Sequence, residues 1–345
     1  MKLKQSLIIA VVLGILSIMT WEFYWRSQGY YPDYDNDDAL WANQRVRVNS
    51  ATSDDVILIG SSRIHFDVQL DVWEKNTGIR PIQLAHPGSS PIPVFNDLAN
   101  KTDFNGTIVV GITPGLFFSG TTTEVRPYRS SNNKVEYFYN QTYAQRLNHK
   151  LSIPFQKYCA FISDKDGISG IKLEALLNKI SIGNRIEEGF PPFPKFSDVS
   201  LDRNLRMTSK TVTDTSFANM IKKVWSYKST DTTAPKNIDK KGVLQLFKKD
   251  AKTFTDKGGN LILLRCPSTG YYKRKEANFY KKEAFWDSLL IETGAKGYHF
   301  NDYEELNKLD CPEWSHLSGE DADYFTDEIT KIMLKDQVIP TTKTK

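Results

Sequence analysis

Residues 56 to 112 alternate between two kinds of pattern, and that alternation limits the folds open to the chain. "VILIG" (56–60), "PIQLA" (81–85) and "TIVVGI" (107–112) are short, mostly apolar runs. Between them lie "VQLDVWEKNTG" (68–78), which closes on glycine, and "PVFNDLANKT" (93–102), with Pro93 near its start. Both suit short helices. Apolar runs of this length separated by helices predict buried parallel strands with crossover helices, an α/β fold.

The pattern returns near residue 242. "GVLQLFKKDAKTFTDKGG" reads as a helix, "NLILLR" (260–265) as a strand, "EANFYKKEAFWDSLLIETG" (276–294) as a helix and "YHF" (298–300) as a short strand. A last helix begins at "SGEDADYF". Ser318 and Asp321 suit a capping box there, and Phe325, Ile329, Ile332 and Met333 form a buried stripe. Residues 55–119 and 240–338 thus predict one domain, a three-layer parallel sheet with crossover helices. A partly helical insertion over 120–239 interrupts it, and 339–345 form a tail.

The insertion holds three loop-like runs, "SSNN", "GFPPFPKF" and "STDTTAPKN". It also holds one helix, with Phe217, Met220, Ile221, Val224 and Trp225 on its apolar face. It reads as a segment packed on the core whose loops supply a lid or groove. Residues 27–54 form a polar lead-in. "PDYDNDDALW" opens like a calcium loop, but Asp38 stands where such a loop needs glycine and Gln44 where it needs glutamate, so no metal is expected.

The first 26 residues differ. The chain is uncharged from Gln5 to Trp21, about the shortest run that spans a bilayer. Trp21, Phe23, Tyr24 and Trp25 cluster at its end, as aromatic residues do at a membrane interface, and Lys2 and Lys4 precede it. An uncleaved single-pass anchor is expected, with a cytoplasmic N-terminus and an exported, periplasmic or otherwise extracytoplasmic, main domain. A cleaved signal peptide is the alternative; "SIMTWEFYW" is bulky where a peptidase needs small residues. The net charge of +4 and the lack of a long basic run argue against nucleic acid as a partner. Cys159, Cys266 and Cys311 fit no metal spacing. A Cys266–Cys311 bridge is conceivable in an exported protein, and three separate thiols are the plainer reading.

In open parallel sheets, sites form at the carboxyl ends of strands. Here those ends read Gly60-Ser61-Ser62-Arg63, His86-Pro87-Gly88-Ser89-Ser90, Gly111-Ile112-Thr113-Pro114 and Arg265-Cys266-Pro267-Ser268. "LDCPEWSHLSGEDADYFT", with His316, precedes the last helix. Hydroxyls, glycines and a histidine gather at one edge. His65 and His86 read as structural.

This arrangement resembles the SGNH hydrolases, whose sheet is of the flavodoxin-like type. The likeness covers the core segments, about half the chain, and leaves 120–240 aside. In that family a serine nucleophile follows the first strand in a Gly-Asp-Ser motif. Gly60-Ser61-Ser62 stands in that place, so the resemblance makes Ser62 the nucleophile, with Ser61 in place of the aspartate. Gly88 matches the glycine whose N–H serves the oxyanion hole. Glu313-x-x-His316 matches the last block, Asp-x-x-His, with Asp310 a nearby rival acid. The third block's asparagine is missing and Thr113 occupies its place. Loss of one oxyanion donor typically costs about 2.7 to 4 kcal/mol in the transition state. The closest likeness is to the membrane-anchored exported branch, which includes proteins of alginate O-acetylation and teichoic acid D-alanylation.

The resemblance implies acyl transfer without a cofactor. His316 takes the Ser62 proton as general base and Glu313 orients the imidazole. The N–H groups of Ser62 and Gly88, with Thr113, bind the oxyanion, and the dipole of the helix after Ser62 adds positive potential. Arg63 and Arg265 are candidate substrate contacts. The function expected is an exported, membrane-anchored esterase or O-acyltransferase acting on a cell-surface glycan, with a membrane-bound O-acyltransferase as a candidate partner. The alternative is an inactive relative that assembles or binds envelope polysaccharide. A lipid or small-ester hydrolase is a third reading.

Overall fold

The computed structural model describes residues 3–163, 191 and 193–342. They fall into two compact units. Residues 3–35, 142–163 and 193–195 form the first; 36–141, 191 and 196–342 form the second. The segment expected to be one insertion is therefore divided, since 142–163 cluster with the N-terminal helix and 126–141 with the sheet. Gly189, Phe190 and Pro192 of "GFPPFPKF" and the last three residues of the tail lie outside the described residues.

In the second unit, five strands form one parallel sheet: β1 (Val56–Ile59), β2 (Ile82–Gln83), β3 (Thr107–Gly111), β6 (Asn260–Arg265) and β7 (Lys296–His299). Their order is β2-β1-β3-β6-β7, so the two halves of the chain share one sheet as expected. β1 pairs with β3 from Val56↔Thr107 to Ile59↔Val110, and β3 with β6 from Thr107↔Asn260 to Gly111↔Leu264. A separate two-stranded ribbon, β4 (Ser197–Val199) and β5 (Leu205–Met207), lies in the former insertion.

The central strands β1, β3 and β6 are largely apolar because both sheet faces are covered. Successive side chains point to opposite sides. Ile57, Ile59, Ile108, Val110, Leu261 and Leu263 enter one core, and Val56, Leu58, Val109, Ile262 and Leu264 the other. The first core takes Phe95 and Leu98 of the helix Ile92–Lys101 and Phe247 and Phe254 of the helix Lys240–Asp256. The second takes Leu70 and Trp73 of the helix Leu70–Thr77 and Phe325, Ile329 and Met333 of the last helix, Gly319–Lys335. Three layers result.

Several boundaries differ from expectation. A six-residue helix, Ser62–Asp67, follows β1 directly, ahead of the expected one. The helix predicted over 276–294 is broken: Gly270–Phe279 ends near Tyr280, a wide turn covers Glu283–Asp287, and Ser288–Thr293 completes it. No proline or glycine marks that break, so tertiary contacts impose it. Ser318 caps the last helix by accepting the Asp321 N–H at 3.0 Å.

In the first unit, Leu3–Ser27 is one helix long and apolar enough to cross a membrane, with none of its residues buried. A second helix, Tyr143–Tyr158, carries a full capping box from Thr142 and Gln145.

Candidate active site

Gly60 turns the chain from β1 into the helix Ser62–Asp67. Its φ is +152°, and a Cβ there would lie 2.5 Å from Ile64 Cγ2 and 3.1 Å from the Gly111 Cα, so only glycine fits. The tight turn places Ser61 and Ser62 at the carboxyl edge of the sheet. The His86 N–H donates to the Gly60 carbonyl at 3.0 Å and carries the β2 side of the ladder past β1. Gly88 follows two residues later, exposed, with φ +66°. On the other side, the Ser61 and Thr113 hydroxyls are 2.6 Å apart, both buried. The ends of β1, β2 and β3 thus bring Ser62, Gly88 and Thr113 to one edge.

The loop before the last helix closes on this edge through contacts with the helix Ser62–Asp67. The Asp67 carboxylate accepts the Leu317 N–H at 3.0 Å, and Arg63 Nε donates to Ser315 Oγ at 3.5 Å. The Phe66 ring stacks on His316 with centroids 4.3 Å apart. Ser62 precedes Phe66 by four residues and so shares its helix face, with Cβ atoms about 5–6 Å apart. The candidate nucleophile therefore stands one turn from the residue whose ring stacks on the imidazole.

Glu313 organises the other side of His316. One carboxylate oxygen accepts the Ser315 N–H at 3.1 Å, the His316 N–H at 2.5 Å and the His316 Nδ1–H at 2.9 Å. The other accepts the Trp225 indole N–H. A carboxylate only accepts, so Nδ1 holds the proton and Nε2 the lone pair. Nε2 is buried and has no hydrogen-bond partner. Asp310 makes none of these contacts; the acid at the three-residue offset does. Phe196 and Trp225 complete an aromatic surround, their centroids 5.8 and 6.2 Å from the imidazole.

Arg63 and Arg265 were expected at a substrate. The structure places both guanidinium groups inside, on one carboxylate. Arg63 Nη1 lies 2.7 Å from Glu276 Oε1, and Arg265 pairs with the same group. Burial would push Glu276 up, but the two arginines and the Ser268 hydroxyl hold it below its ordinary value. Arg265 also donates to the Cys266 carbonyl at 2.8 Å. Beside them a cavity of about 290 Å³ opens at the ends of β3, β6 and β7, lined in part by Ile112, Arg265, Glu276, Tyr280 and His299.

Asp67 carries a raised pKa, chiefly because it is buried, with the Leu317 N–H and Arg63 opposing the rise. His65 is a structural residue, as expected: its Nε2 bonds the Arg203 carbonyl at 2.7 Å, and burial keeps it neutral. The three cysteines are free, and Cys266 and Cys311 are buried thiols.

Three residues of the former insertion escaped the sequence reading. Trp225 was placed in an apolar stripe, yet its N–H holds Glu313. Phe196 sits in a loop. Arg203, at φ +66°, donates to the Gln83 and Ala85 carbonyls at 2.9 and 2.8 Å and fixes the end of β2. The paired hydrophobic and polar character of tryptophan is the one signal that pointed to Trp225.

A scan of the chain against protein-family models and a search among curated proteins return no match.

Proposed function

We propose that the sheet unit is an SGNH-like serine acyl-transfer enzyme, an esterase or O-acyltransferase acting on a cell-surface glycan. We further propose that Leu3–Ser27 is an uncleaved anchor that holds it outside the cytoplasm. The observation that carries this reading is the oriented imidazole. Glu313 fixes its protonated Nδ1, Nε2 is buried and unpartnered, and the ring stacks on Phe66 of the helix that begins with Ser62.

Ser62 attacks an acyl carbon as Nε2 takes its proton. The imidazolium is stabilised by Glu313, and backbone N–H groups of Ser62 and Gly88 receive the oxyanion. The protonated imidazole then gives its proton to the leaving oxygen, and water or a sugar hydroxyl resolves the acyl-enzyme. No Ser62–His316 hydrogen bond is formed in this structure, and such bonds often tighten only when substrate is bound.

The substitution of Thr113 for the family's asparagine favours the second reading, an inactive relative in envelope polysaccharide assembly. Fluorophosphonate labelling of the full chain in detergent separates the two. The expected result is one adduct at Ser62, abolished by Ser62→Ala and suppressed nearly as far by His316→Ala, since the pair acts as a unit. Folded wild-type protein left unlabelled from mildly acidic to mildly alkaline pH would overturn the enzyme reading.

A further inference from the structure

The helix Tyr143–Tyr158 is built inside out. Tyr143, Leu147, Leu151, Phe155 and Tyr158 are 42% to 72% exposed. The buried residues are His149 and Gln156, both polar. Gln156 Nε2 donates to Ser152 Oγ at 3.1 Å and its Oε1 accepts the Asp35 N–H at 3.1 Å, so the inward face is a polar network. At about 100° per residue the exposed apolar side chains span an arc of about 120°. Arg146, Lys150 and Lys157 flank one edge of that arc, and the helix carries no acidic residue.

A water-facing helix does not display its apolar stripe and bury its glutamine. The arrangement suits a helix lying in a lipid–water interface, with basic residues toward anionic headgroups.

Its attachment fixes the depth. Arg26, at the end of the apolar helix Leu3–Ser27, donates to the Tyr158 carbonyl at 3.0 Å. Glu22 accepts the N–H groups of Ala160 and Phe161 at 2.9 and 3.2 Å. Glu22 and Arg26 lie among Trp21, Phe23 and Tyr24, the exposed aromatic residues that mark the membrane boundary on that helix. The C-terminal end of Tyr143–Tyr158 is thus tied at the level of the headgroups. We propose that this helix is an interfacial membrane-binding element whose occupant is the anionic lipid surface around the anchor. The inference rests on Leu3–Ser27 spanning the bilayer and is independent of the chemistry at Ser62.

The test uses the full chain reconstituted in phosphatidylcholine vesicles with or without phosphatidylglycerol. Cys159→Ser removes the half-exposed thiol, and an environment-sensitive fluorophore is attached at Leu151→Cys, Phe155→Cys, Val212→Cys or Leu13→Cys. Val212 is exposed on the other unit and serves as the aqueous reference. Labels at 151 and 155 are expected to be quenched by doxyl-labelled lipid and shielded from iodide by about tenfold relative to 212. Each basic residue near an anionic surface contributes about fivefold to the bound-to-free ratio. Replacing Arg146, Lys150 and Lys157 with Gln should therefore lower that ratio about a hundredfold in the phosphatidylglycerol vesicles.

Iodide access at 151 and 155 equal to that at 212, with Leu13 in lipid, overturns the proposal and leaves the anchor standing. Shielding from both quenchers that disappears on dilution of protein in the vesicles means a second copy covers the face, and also overturns it. A Leu13 label outside lipid removes the anchor and this inference together.

Discussion

Replacing Glu313 with Gln is expected to slow Ser62 labelling about 2- to 30-fold, far less than the loss seen where an amide turns the imidazole round. The amide can sit two ways. With its oxygen on Ser315 N, His316 N and Nδ1, it keeps three bonds and sets its NH2 against the Trp225 N–H. Reversed, it satisfies Trp225 and sets its NH2 against three donors. The first arrangement loses one bond rather than three, so the tautomer survives.

What is lost is the negative charge beside the imidazolium. A hydrogen bond to a charged group contributes about 1.5–3 kcal/mol and a neutral one about 1 kcal/mol, which leaves about 0.5–2 kcal/mol on the transition state. At about 1.36 kcal/mol per decade this is the stated range. Triads in which the amide selects the wrong tautomer lose about 10⁴.

The variant also strands the Trp225 N–H, at a cost of about 1–3 kcal/mol, and the melting temperature should fall by about 2–4 °C per kcal/mol. Adding Trp225→Phe removes the opposed donors and should restore about 1–2 kcal/mol in a double-mutant cycle. The assays are the second-order labelling rate and thermal unfolding followed by circular dichroism. A labelling rate within twofold of wild type, or additive stability losses, refutes the reasoning.

Two further outcomes follow from buried charge. Glu276→Gln leaves Arg63 and Arg265 without their shared carboxylate, a change that typically costs about 3–5 kcal/mol in unfolding experiments. Because that carboxylate sits below its ordinary 4.5, its contribution is full above that value and lost as pH falls through the folded value, so the variant should lose part of the wild type's acid-limb stability slope. Asp67 has the opposite sign. Its folded pKa is raised well above 3.8, so its contribution is present below that pH and lost as pH rises toward the folded value. Asp67→Asn keeps an acceptor for the Leu317 N–H and should gain stability relative to wild type as pH rises through that window; denaturant unfolding that shows a gain at low pH only contradicts this.

The parts of the fold legible in the sequence are those fixed by local pattern. "VILI" and "NLILL" show strands with two covered faces, and Glu313 and His316 show their pairing because they stand three positions apart in one tight loop. What was hidden depends on distant chain. Arg63 and Arg265 read as free cations because Glu276 meets them only after folding, and nothing around it marks it as buried. Trp225 meets Glu313 by the same route. The broken helix at Tyr280 has helical composition throughout, so its interruption is a property of packing rather than of the sequence there. The expected single insertion divides because Glu22 and Arg26 of the N-terminal helix hold the chain at Tyr158, Ala160 and Phe161, a long-range contact that no local pattern marks.

On the proposed SGNH-like reading, the two departures from that pattern, at residues 61 and 113, meet in space, and that contact bears on whether the site can work. Ser61 stands in place of an aspartate and Thr113 in place of an asparagine, and their hydroxyls are 2.6 Å apart. Two hydroxyls joined by one hydrogen bond use one of their two protons, so the accepting group keeps a proton to donate elsewhere. On the proposed reading that proton serves the oxyanion in place of the asparagine amide. An amide holds its donor in a fixed plane, whereas a lone hydroxyl rotates; the contact with its neighbour supplies the missing restraint. Removing either hydroxyl should therefore have a similar effect. Thr113→Val and Ser61→Ala are each expected to slow labelling of Ser62 by about a hundredfold to a thousandfold, the cost of one oxyanion donor. The double variant should lose little more than either single one, because the two act as one donor. Full additivity in the folded double variant would show that the hydroxyls act separately and that the pair does not stand in for the asparagine.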